Sequence, residues 1–169
     1  MANPDLIPTP EILRERERQF AQNARTLENT LVGALGMRFL PVVLEGEPDR
    51  PIHPGHLRVC ALMPADRRTC QPFGHLSGGA SLALAETLAG YASMLLLGPG
   101  LVPVGAQVSA NHVRALPLNE TARGEARLVH LGRTTHVWNV DITREGGNGE
   151  PGELISTARV LNHLVPMKA

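Results

Sequence analysis

The chain has 169 residues, enough for one domain with a sizeable core and a short appendage. Sixteen basic residues balance sixteen acidic ones and aromatics are only 3%, which disfavours nucleic acid, anionic membranes and base-stacking surfaces as partners. Cys60 and Cys70 form no CxxC pair and no secretory leader opens the chain, so a cytoplasmic protein with reduced thiols is expected. His53 and His56 flank Pro54-Gly55 in a loop, and no further Cys or His completes a metal site there.

In chain order, residues 1–10 are Pro-rich, and Thr9-Pro10 starts a helix with Glu11 in its first turn. That helix is expected to run to Asn29, heavily charged, with a thin apolar stripe of Ile12, Leu13, Phe20, Ala24 and Leu27. Residues 1–30 therefore read as an extension, packed on the main body or on a neighbouring subunit, and without chemistry of its own. A short helical turn at Leu31 precedes a strand from Gly36 to Leu44. A turn-rich loop (45–55), a strand from His56 to Met63 and a polar connector (65–70) follow.

The stretch from Gln71 to Leu97 then stands out. A glycine-rich turn with Ser77 as N-cap, Gly78 and Gly79 feeds one long apolar helix, and Gly98-Pro99-Gly100 stops it. Apolar or small residues cover every face, so the helix is expected to be enclosed. Between Thr69 and Val113 the only Asp, Glu, Lys or Arg is Glu86, in mid-helix. A buried carboxylate is costly unless it is paired, hydrogen-bonded or protonated, so Glu86 is either a candidate for chemistry or the mark of a helix face that reaches solvent or makes a structural hydrogen bond. The same residue, with the Gly-Pro-Gly stop, argues against a membrane span.

Four strands follow with turns between them: Leu101 to Arg114, Thr121 to Leu131, Thr134 to Arg144 and Glu153 to His163. In the third, His136, Trp138, Val140 and Ile142 alternate with Thr135, Val137, Asn139 and Asp141. No βα alternation repeats, so a doubly wound parallel sheet is excluded. The expected fold is α+β: one curved antiparallel sheet wrapped around a single long helix.

From Leu31 to His163 the chain resembles the hotdog-fold acyl-CoA thioesterases, in the phenylacetate-degradation (PaaI-like) branch. The resemblance lies in Leu31-Val32-Gly33, QPFG at Gln71–Gly74, GGAS followed by LAE at Leu84–Glu86, ANHVR at Ala110–Arg114, HLG at His130–Gly132, and HVW at His136–Trp138. It implies a hotdog domain over residues 31–165 that hydrolyses acyl-CoA thioesters, with aromatic acyl groups among the candidates. Glu86 would be base or nucleophile. The amides of Gly78 and Gly79 would polarise the thioester carbonyl, because a helix N-terminus favours developing negative charge. Gln71 would hold the carbonyl or the attacking water. CoA, part of the substrate rather than a cofactor, would be met by His112 and Arg114, on one strand face by parity, and by Gly132, Arg133 and Thr134.

Gly79 and Glu86 are seven positions apart, about 10 Å along a helix. Glu86 therefore cannot serve its own helix start, and a homodimer with shared sites is expected; the resemblance adds pairing into tetramers. Two positions depart from the family: Ser77 stands where its histidine precedes the glycines, with His75 two residues earlier, and Gly90 stands in place of a serine one turn after Glu86. A serine cannot supply an imidazole's donor geometry, so His75 is a candidate substitute. The alternatives are a non-catalytic hotdog module that binds acyl thioesters and a dehydratase with His75 as its histidine. A serine-triad esterase is disfavoured, since Ser77 and Ser81 lack a GxSxG elbow.

Overall fold

The computed structural model describes residues 8–22, 27–44, 56–147 and 149–167. Helix α1 (Pro10–Gln22) and the one-turn α2 (Leu31–Ala34) precede the short strands β1 (Arg38–Phe39) and β2 (Val43–Leu44). Then come β3 (Leu57–Pro64), the long α3 (Gly78–Leu96), and β4 (Leu101–His112), β5 (Thr121–Leu131), β6 (Thr135–Glu145) and β7 (Pro151–Pro166). The sheet is antiparallel, in the order β1-β3-β5-β6-β7-β4, with β2 also paired to β3.

Alternation sets the layers. Ala122, Ala126, Trp138, Val140, Ile142, Ala158 and Val160 point inward from three neighbouring strands and are buried against α3. Small residues there let the helix approach: a side chain at Gly124 would crowd Leu84 and Leu88 of α3. Behind α3 lies a buried polar knot. Ser93 Oγ accepts from Trp138 Nε1 (2.8 Å) and from Asn162 Nδ2 (2.9 Å), which also donates to the Ala89 carbonyl (3.0 Å). α3 has the length and apolarity of a membrane span, yet eleven of its residues are buried within the protein's own fold.

Three expectations need correction. The strand expected over Gly36–Leu44 is two short ones, interrupted at Leu40-Pro41-Val42, where Pro41 has no N–H to donate. The freed backbone of Val42 is taken up by α1: its N–H donates to Glu17 Oε1 (2.7 Å) and its carbonyl accepts from Arg14 Nη1 (2.8 Å). Next, α1 ends at Gln22 in the described residues, and residues 27–29 form a turn rather than continuing to Asn29 as helix. It packs on the main body through fully buried Leu13, while Arg16 Nη1 donates to the Leu95 carbonyl at the C-terminal end of α3 (2.8 Å). Lastly, α3 is not enclosed. Its sheet covers one side only; Gly79, Glu86 and Met94 are exposed and Ala83, Thr87 and Gly90 half-exposed, forming a stripe at helical spacing. The turn-rich loop 45–55 lies outside the described residues.

Candidate active site

The approach to α3 is a stitched hairpin. Cys70 bridges Leu76, the Gln71 N–H donates to the His75 carbonyl (2.8 Å), and the Gly74 N–H donates to the Gln71 carbonyl (3.0 Å). Gly74 has φ +78°, a left-handed conformation that Gly adopts without steric cost. The hairpin is tied to the segment after β4 by Leu76 N–H to Leu116 O and Leu118 N–H to Gly74 O, each 2.8 Å. Gln71 and Phe73 are left exposed at the tip, with His75 half-buried at its foot.

Ser77 takes the N-cap position, but its hydroxyl makes no capping bond, contrary to the role its side chain suggests. The first amides of α3, from Gly78 and Gly79 onward, have no intrahelical acceptor. Beside the hairpin's own His75, a second imidazole lies against the bare start of α3: a side chain at Gly78 would come within 2.8 Å of His112 Nε2. A cleft of about 370 Å³ opens there, lined by His75, Gly78, Ser81, His112 and Arg114. Arg114 lies just beyond the end of β4, so strand parity does not fix its direction; it is exposed and reaches Glu153 at 3.4 Å.

Glu86 is exposed in the single chain, not buried as its apolar neighbours suggest. Its carboxylate lies over Gly105 of β4, where any side chain would collide with Glu86 Oε1. The β4–β7 register slips between Gly105 and Gln107 at this same point, so the edge strand carries a bulge under the carboxylate. Among the described residues, no cation is within ion-pair reach of Glu86. Gly105 was missed from sequence, although a glycine inside a strand signals a bulge or a close approach.

Gly132 and Arg133 lie at the other end of the molecule. They line a cleft of about 390 Å³ with Thr9, Arg16, Leu97 and His136, beside the C-terminal end of α3. Thr134 is exposed in the same β5–β6 turn, which the Gly132 N–H closes onto the Thr135 carbonyl (2.9 Å). His136 is 2% exposed, and burial, with the nearby His130 adding to it, pushes its pKa down to about 4. Within one protomer, then, His75, Gly78, His112 and Arg114 are brought together. Glu86 stands alone partway along α3, and the Gly132–Thr134 turn is roughly a helix length away, about 28 Å for nineteen residues.

A long antiparallel sheet curled around one central helix is the hotdog fold, and here the helix's uncovered stripe carries a lone carboxylate. The chain belongs to the thioesterase superfamily, whose family model matches residues 73–150. It is 38% identical over 136 residues to the proofreading thioesterase EntH of Klebsiella pneumoniae, covering 79% of this chain and 88% of that one. Among solved structures, thioesterase HI1161 of Haemophilus influenzae superposes with a TM-score of 0.71 at 29% identity, over 89% of this chain and 92% of that one. A mutant of thioesterase PA1618 from Pseudomonas aeruginosa gives 0.68 at 37% identity, over 88% and 94%. The E. coli PaaI protein, at 16% identity and a TM-score of 0.66, covers 94% of this chain and 96% of that one and shares the fold. Thioester hydrolysis is the activity common to this family.

Proposed function

We propose that the chain hydrolyses acyl-CoA thioesters as a homodimer, each site built from Glu86 of one copy and the helix start of the other. The observation that carries this is the placement of Glu86: on the uncovered stripe of α3, beside the free edge of β4, and far from its own helix start. β4 is twelve residues long and mostly exposed, an edge unpaired among the described residues and of the kind that pairs with another strand. Joined antiparallel to its copy about Val108 and Ser109, it sets one copy's His112 opposite the other's Gly105, and so one helix start beside the other's Glu86.

The same pairing explains why the CoA-facing residues lie at opposite ends of one protomer. Arg114 falls opposite Pro103 of the partner, two residues from Leu101, which lines the Arg133 cleft. Arg114 with His112 from one copy, and Arg133 with Gly132 and Thr134 from the other, would thus flank one substrate. Guanidinium forks suit its phosphates.

In the reaction, the N–H groups of Gly78 and Gly79 donate to the developing oxyanion, and Gln71 orients the carbonyl or the water. Glu86 takes a proton from that water, whose oxygen bonds to the carbonyl carbon. The C–S bond then breaks, and the proton passes to the departing thiolate, giving free acid and CoA. His112 stands where it can donate to the oxyanion in place of the loop histidine that Ser77 replaces.

Glu86→Gln tests the assignment, read by free-thiol release from a panel of aromatic and straight-chain acyl-CoAs. Loss of the carboxylate is expected to lower turnover by about 10²–10⁴-fold. Unchanged turnover would remove Glu86 from the chemistry. If neither the wild type nor the variant releases thiol yet both bind the thioester, the non-catalytic reading takes over, which Ser77 and Gly90 favour.

A further inference from the structure

Phe73 is the most exposed large apolar side chain in the described structure, at 82%, and it stands at the tip of a hairpin pinned by four backbone hydrogen bonds. A rigid hairpin that holds an aromatic ring in water calls for something to cover it. At the opposite end of α3 lies a mainly apolar groove of about 810 Å³ between α1 and the helix end, with Ile12, Phe20, Met94 and Leu101 in its lining and Glu11, Glu15, Arg16 and Gln19 along its α1 side. Ile12, Met94 and Leu101 are themselves exposed, at 45%, 37% and 38%. The groove continues the uncovered stripe that begins at Gly79 and passes through Glu86 to Met94.

Resting on the dimer of the proposed function, its helix register and its strand register, two expressions of one pairing, bring this ring and this groove together. If one copy's Gly79 faces the other's Glu86 on antiparallel helices, the segment before α3 falls opposite Ala92 to Met94. If the β4 edges pair about Val108 and Ser109, Pro117, which bridges His75 beneath the hairpin, falls opposite Gly100. The helix register sets Phe73 opposite Ala92, beside the groove, and the strand register sets the foot of the hairpin opposite Gly100, which lines it. We propose that the partner's Phe73 inserts between α1 and the C-terminal end of α3, so that the N-terminal extension builds a socket for the other subunit's active-site hairpin. The socket would fix in place the hairpin that carries Gln71, two residues from Phe73. Phe73 is in this view a positioning residue rather than a catalytic one.

Within one protomer the two cannot touch, since sixteen residues of helix between Gly78 and Met94 span about 24 Å. Benzoylphenylalanine introduced at position 73 of the full chain, in a mixture of isotopically light and heavy copies, therefore gives a direct test. Light-to-heavy adducts on residues 12–20 or 94–101 are expected after irradiation. Adducts confined to other segments, or none from a protein that is dimeric in solution, would overturn the socket. Phe73→Ala is the second arm: a dimer dissociation constant raised at least tenfold is expected, with KM and kcat both recovering at high protein concentration. An unchanged dissociation constant would also overturn it. The proposed function fails separately: Glu86→Gln with wild-type turnover would end that reading whatever the adducts show.

Discussion

The carboxylate of Glu86 rests on the bare backbone of Gly105, a residue of the edge strand nineteen positions later in the chain. The bulge after Gly105 and the missing side chain together form its seat. Gly105→Ala should therefore displace the carboxylate without unfolding the sheet. Turnover is expected to fall by about 10²-fold, the cost of misplacing a reacting group by roughly an ångström. Steady-state kinetics with a thermal melt check this: lost turnover with a melting temperature within a few degrees of wild type is the expected pair.

Gly78 holds the corresponding place at the helix start, against the His112 ring. A methyl group at Gly78 would come within 2.8 Å of His112 Nε2 and force the ring aside. Gly78→Ala should lower kcat more than it raises KM, and His112→Ala should do the same. The double variant should be no worse than the poorer single one, because both remove one arrangement. A multiplicative loss in the double variant would show that His112 does not act through the helix start.

The polar knot behind α3 predicts a stability cost with no bearing on chemistry. Ser93→Ala removes the acceptor of Trp138 Nε1 and one acceptor of Asn162 Nδ2, both in the dry core. An unsatisfied buried donor costs about 1–3 kcal/mol. A loss of this size in urea unfolding, with no change in the denaturant slope, is expected.

His136 makes stability depend on pH. Its folded pKa, near 4, lies below the ordinary histidine value of 6.5, so the unfolded chain binds a proton that the folded one refuses. Stability is therefore unaffected by this group above pH 6.5 and falls as pH drops from 6.5 to about 4, by up to about 3 kcal/mol at about 1.4 kcal/mol per pKa unit. Urea unfolding at pH 7 and pH 5 should show the decline, and His136→Gln should flatten it. A variant as pH-sensitive as wild type would assign the effect to other groups.

Much of the fold was legible in the residues. Turn signals bounded β5, and with alternation β6, nearly to the residue, because each strand has one face in the core and one in water. Gly-Pro-Gly and Gly78-Gly79 bracketed α3 for local backbone reasons. The stripe on α3 misled because Gly79, Ala83 and Gly90 are as small as any core residue. Hydropathy cannot tell a face packed on its own sheet from one left for a second chain. Pro41 was in plain sight, yet one continuous strand was expected where Arg14 and Glu17 instead clamp the break.

By itself, then, the sequence determined the order and type of the main elements, the lone carboxylate on the central helix, and the motifs of the thioesterase superfamily. The elements depend on local propensity and on periodicity, which each segment carries alone, and the motifs on their resemblance to the family's. Only the tertiary structure decided that His112 lies against Gly78, that Gly105 seats Glu86, and that Arg114 and Arg133 stand at opposite ends of one protomer. Such pairings depend on register and sheet curvature, which arise only when distant segments pack.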